Sequence, residues 1–225
     1  MINLDYIKNN VDAEHQVKFP FYFYGVNQNG AKLKIMFIGN SITLHEPNSK
    51  LGWNRTCGMA ASDANHDYVH LVTKFLKSRE PNLRVCVFNG GQWELDFQNE
   101  DKLNVIINVA KEFSPDIIVV RIGENFNRNL ILNQIDPFPY FNSLLSGLKK
   151  ISNNIITTSL FWHVDIMDKA IKKSSDLNNT KYVYIADLGD DNKYKAIGEF
   201  ADVGVQLHPN NLGMENIAKR IIEKI

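Results

Sequence analysis

The chain has 225 residues, 44% of them hydrophobic, and its 25 lysines and arginines are balanced by 25 aspartates and glutamates. That length supports one medium domain with a sizeable core, while the cancelled charge gives no support to nucleic acid as a partner and permits a homo-oligomer. No apolar run is long enough to span a bilayer, and the first residues lack the basic patch and apolar core of a secretion signal, so a cytoplasmic protein with no membrane partner is the expectation.

Residues 1–30 read as an N-terminal arm packing on a main domain at 31–225. Phe19–Tyr24 is aromatic and fits either a strand or a packing segment, and Asn27-Gln28-Asn29-Gly30 reads as a turn. Leu33–Gly39 is a short apolar strand ending in glycine. Residues 67–79 place Tyr68, Leu71, Val72, Phe75 and Leu76 at helical spacing. Leu83–Asn89 is a second strand, residues 100–113 a second amphipathic helix, and Asp116–Gly123 a third strand. A helix over 140–151, a strand over Asn154–Phe161, a weaker helix over 164–174 and a fifth strand over Lys181–Leu188 follow. The chain closes on a helix at 212–225 with Met214, Ile217, Ala218 and Ile221 in one stripe.

This alternation predicts an α/β three-layer sandwich, with a five-stranded parallel sheet covered on both faces. Ligands in such sheets collect beyond the C-terminal strand ends. Three polar clusters stand there: Gly39-Asn40-Ser41, Asn89-Gly90-Gly91 and Gly123-Glu124-Asn125.

Ser41 follows a strand directly, where a rigid sheet would hold its hydroxyl for attack. Its bland reading is a helix-capping turn. His208, in Leu207-His208-Pro209-Asn210, is the candidate base that the hydroxyl requires; alone it reads as a surface turn histidine. Asn125 could donate its amide to an oxyanion or simply bond its own backbone. The Ser41 N–H and an amide from the loop after Asn89 would complete the donor set. Cys57 and Cys86 do not form a metal-ligand cluster, and no compact metal constellation is present. No cofactor is expected.

These clusters resemble the SGNH or GDSL-type hydrolase superfamily of serine esterases and lipases. The resemblance rests on Gly39-Asn40-Ser41-Ile42-Thr43, on Gly123-Glu124-Asn125 and on His208-Pro209-Asn210, and it runs from residue 33 to 225. It implies a flavodoxin-like fold with Ser41 as nucleophile, His208 as base and Asn125 as oxyanion donor. Two positions depart from the pattern. The superfamily's acid stands three residues before the histidine, which is Val205 here. A backbone carbonyl, Glu94, Glu124 or Asp202 would then orient the ring. The oxyanion glycine falls at Glu94 by spacing from Asn89, with Gly91 as the competing choice. The stretch after the nucleophile resembles a bacterial branch of the same superfamily and makes His45 and Trp53 candidate pocket residues.

Trp53 and Trp93 would suit stacking on a sugar ring, with core packing as the alternative for Trp93. A small carbohydrate ester, acetyl in preference, is therefore the expected substrate. An O-acyltransferase, a carbohydrate-binding protein on a decayed hydrolase fold, and a flavodoxin-like binding module are the competing readings.

Overall fold

Six strands form one sheet in the order β1-β3-β2-β4-β5-β6, in a computed structural model that describes residues 21–225. β1 (Phe21–Gly25) runs antiparallel to β3 (Leu83–Asn89). β2 (Leu33–Gly39), β3, β4 (Ile117–Arg121), β5 (Asn154–Thr158) and β6 (Lys181–Val183) are mutually parallel. The five expected parallel strands are present, and the aromatic segment adds a sixth at the sheet edge. Phe19 and Pro20 lie outside the described residues, as does the rest of the arm up to residue 20.

Period-two alternation splits the apolar residues between two cores. Ile35, Phe37, Val85, Val87 and Val119 face one layer, with α1 (Tyr68–Arg79) and α9 (Asn211–Ile222). Met36, Ile38, Cys86, Phe88, Ile118 and Val120 face the other, with α3 (Glu100–Phe113), α5 (Phe138–Lys149) and α6 (Asp165–Leu177). Burial on both faces is why these strands read as continuous apolar runs. Among the described residues no helix is long and apolar enough to cross a membrane.

Three expected strands end early. Ile122, Leu160, Phe161, Ile185 and Leu188 are buried, yet they lie beyond the ladder. Their apolarity reports packing rather than strand pairing. Four short helices were not expected: α2 (Gly91–Leu95), α4 (Arg128–Leu132), α7 (Ala186–Asp190) and α8 (Val203–Gln206). Five residues or fewer are too few to establish a 3.6-residue period.

The register brings the site together. Gly39 pairs with Asn89 on one side and with Arg121 on the other. The strand order reverses at β2, so the crevice beyond Gly39 is the topological switch point. Gly39 also has a steric reason to lack a side chain, since a Cβ would run into the Thr43 hydroxyl and the Arg121 carbonyl.

Candidate active site

Ser41 leaves the end of β2 in a tight turn, in which the Thr43 and Leu44 amides both donate to the Asn40 carbonyl at 2.9 Å. Its own carbonyl accepts from Met59 N–H at 2.8 Å. The backbone is thus held from both sides while the hydroxyl faces a cleft of about 400 Å³. His208 reaches the same point from the loop between α8 and α9. Ser41 Oγ lies 2.8 Å from His208 Nε2. His208 Nδ1 lies 2.7 Å from the Gly204 carbonyl. A carbonyl can only accept, so Nδ1 carries the proton and Nε2 offers its lone pair to the serine hydroxyl.

The histidine is anchored on several sides. Its N–H donates to Val205 O at 3.0 Å, and its carbonyl accepts from Ala196 N–H at 3.0 Å. The Trp162 ring meets the imidazole edge-on, with centroids 4.8 Å apart, and Trp162 Nε1 donates to Leu207 O at 3.0 Å. Burial lowers the His208 pKa to about 4, assisted by the charges of Arg121 and His45 and opposed by the Gly204 bond and Asp202. The ring is therefore neutral at physiological pH, as a general base must be.

None of the three carboxylates expected as orienting partners bonds Nδ1, and Val205 has no polar side chain to do so. Val205 is buried among Trp53, Cys57 and Met59. Asp202 caps α8, accepting from Val205 N–H at 2.9 Å. Glu124 pairs with Arg121 at 2.8 Å and accepts from Asn40 Nδ2 at 2.6 Å and from Phe161 N–H at 3.0 Å. Glu94 accepts from Asn40 Nδ2 and Asn125 Nδ2, each at 2.9 Å, and from Gly123 N–H. The two glutamates thus lie in a buried network around Arg121, which also donates to Asn40 Oδ1 at 2.7 Å. Burial and the neighbouring Glu124 push the Glu94 carboxyl above its usual range, against the pull of its N–H donors.

The donor set is only partly as expected. Ser41 N–H has no hydrogen-bond partner among the described residues. Asn125 lines the cleft, and its Nδ2 donates to Glu94 Oε2 at 2.9 Å. The Gly91 N–H lies at the cleft but donates to Asn89 Oδ1 at 2.8 Å. The Glu94 N–H donates to the Gly90 carbonyl at 3.2 Å as part of α2, so it is not free for an oxyanion.

Of the expected pocket residues, His45 lines the cleft. Its Nδ1 sits 2.6 Å from the Glu46 carbonyl. The two tryptophans do not line it. Trp53 is 1% exposed and packs beside Val205, and Trp93 is 3% exposed and packs against Phe141. Both rings are large enough that burial outweighs any platform role. Instead Leu51, Met59, Leu95 and Val205 give the cleft apolar walls, and Gln92 adds a polar group. None of these carries a sequence signature, because each comes from a turn or short helix.

The strand order, with helices packed on both faces of the sheet, defines a three-layer α/β fold whose switch-point crevice holds Ser41 and His208. Three solved structures share it. A family 3 carbohydrate esterase from Clostridium thermocellum matches at 15% identity and a TM-score of 0.59, over 85% of this chain and 94% of that one. A lipase/acylhydrolase from Enterococcus faecalis matches at 18% and 0.53, over 86% and 95%. A GDSL-like lipase from Parabacteroides merdae ATCC 43184 matches at 16% and 0.54, over 86% and 95%. At such identities the likeness concerns the fold. No protein-family model matches the chain, and no curated protein does.

Proposed function

We propose that the protein is a serine ester hydrolase that acts through a Ser41–His208 dyad. The observation that carries this reading is the 2.8 Å contact between Ser41 Oγ and His208 Nε2, with the opposite ring nitrogen tied to a backbone carbonyl. In the reaction, His208 Nε2 takes the hydroxyl proton as Ser41 Oγ bonds to the ester carbonyl carbon. The Ser41 N–H and the Asn125 amide receive the negative oxygen. The tetrahedral intermediate collapses, the bond to the alcohol oxygen breaks, and the imidazolium returns its proton to that oxygen. Water, deprotonated by the same nitrogen, then releases the acid from Ser41. The Gly204 carbonyl, a dipole and not a charge, steadies the imidazolium meanwhile.

The apolar walls formed by Leu51, Met59, Leu95 and Val205 suit the hydrocarbon part of an acyl group, of which acetyl is the one we propose. A carbohydrate as the alcohol part is supported by the shared fold with the Clostridium thermocellum carbohydrate esterase. It draws no support from Trp53 or Trp93, which are buried. A fluorogenic acetyl ester tests the reading. Wild-type protein is expected to turn it over, and Ser41→Ala to lose that activity. Equal rates for the two proteins would remove the mechanism and favour a binding protein, the reading for which Val205 at the acid's position speaks.

A further inference from the structure

Asn125 supplies an oxyanion donor only if its amide presents nitrogen rather than oxygen to the cleft. The two ends of a carboxamide are nearly the same size, so shape alone does not choose between them. Among the described residues the Asn125 side chain has one hydrogen bond, to Glu94 Oε2 at 2.9 Å. Glu94 is itself immobile. It is 1% exposed, and its Oε1 accepts from Asn40 Nδ2 and Gly123 N–H. The Asn40 amide cannot turn round, because its Oδ1 accepts from Arg121 Nη2 at 2.7 Å. Every partner of Glu94 is thus an N–H donor, as an ionised carboxylate requires.

We propose that Glu94 is a positioning residue, whose carboxylate selects the amide orientation of Asn125 that directs an N–H into the cleft. One Nδ2 hydrogen goes to Glu94, and the second remains for the developing oxyanion. In the reversed orientation the carbonyl oxygen would occupy that place and repel the negative charge. The same carboxylate, through Asn40, ties the nucleophile's turn to the loop that carries Asn125. The role rests on the serine hydrolase reading and adds to it a residue that touches no reacting atom.

Glu94→Gln separates orientation from bulk. Glutamine keeps the volume and can keep Oε1 as acceptor for Asn40 and Gly123. Its amide nitrogen then faces Asn125, which must turn its oxygen inward to pair with it. With p-nitrophenyl acetate, kcat is expected to fall about 10²-fold with KM little changed, the signature of a lost transition-state donor. Asn125→Ala should lose a similar factor, and the double variant should be no slower than the slower single one. Two losses that multiply, or a Glu94→Gln protein with wild-type kcat, overturn the positioning role while the hydrolase reading stands. A wild type no faster than Ser41→Ala overturns both. Should Glu94→Gln fail to fold, wild-type protein supplies the answer by NMR. The Asn125 side-chain amide protons, assigned by their loss in Asn125→Ala, should be slow to exchange; exchange at the rate of a free amide would overturn the role.

Discussion

His208 is buried, with Arg121 and His45 nearby, and this sets how it responds to acid. Its 8% exposure and the nearby Arg121 hold the folded pKa at about 4, against 6.5 for a free histidine. The unfolded chain therefore takes up this proton first as pH falls. Stability drawn from His208 is full above pH 6.5 and is lost progressively between 6.5 and about 4. An NMR titration of the imidazole should show a midpoint near 4; a midpoint near the free value would mean that the ring is not buried against Ser41. That Ser41, His208 and Asn125 lie at one cleft is legible in the sequence because each follows or precedes a recognisable element. Trp53 is buried where a sugar platform is expected, and Trp93 takes its core alternative, since an aromatic residue near a site looks the same in sequence whether its ring faces the cleft or the core. Spacing from Asn89 points to the Glu94 amide, and strand-end placement to Glu94 as a partner for the histidine. Nothing in a single sequence reveals that its carboxylate meets Asn40 and Asn125.

The element that carries the backbone partner of His208 is α8, a helix of only four residues. It places the Gly204 carbonyl against His208 Nδ1 at 2.7 Å, and Asp202 caps it through Val205 N–H at 2.9 Å. So short a helix has little stability of its own, and its cap carries much of its order. Asp202→Ala should therefore cost about 0.5–2 kcal/mol in a denaturant titration, the usual range for a lost cap. Asp202→Asn keeps the cap and removes the charge. Neutralising a carboxylate that orients a catalytic histidine costs about 10⁴ in kcat. If Gly204 holds the ring, Asp202→Asn should lose far less, about tenfold at most. A loss near the larger figure would assign the orienting role to Asp202. Helices such as α8 were invisible in the sequence for a physical reason: one turn shows no periodicity, and this one exists through tertiary contacts.

At the scale of the whole molecule, the parallel sheet allows residues 167 positions apart to share a proton. Each crossover returns the chain to the same sheet edge, so Ser41 after β2 and His208 before α9 converge without local sequence contact. That convergence is legible from alternation and strand-end clusters, whereas the aromatic segment before residue 25 fits a strand and a packing arm equally well in sequence. Phe21–Gly25 alternates as an edge strand does: Tyr22 enters the core of α1 and α9, and Phe23 enters the opposite core against Phe113. By covering β3, β1 protects a central strand that carries the Asn89 turn. Phe23 is 5% exposed, and its removal would leave a cavity beside Phe113. Phe23→Ala is expected to lower stability by about 3–5 kcal/mol, read as a shift in the chemical denaturation midpoint. The protein that remains folded should keep its kcat, because Phe23 pairs with Cys86, three residues before the strand end that faces the cleft. An unchanged midpoint would mean that β1 folds apart from the sheet, so that the cooperative unit is the five parallel strands alone.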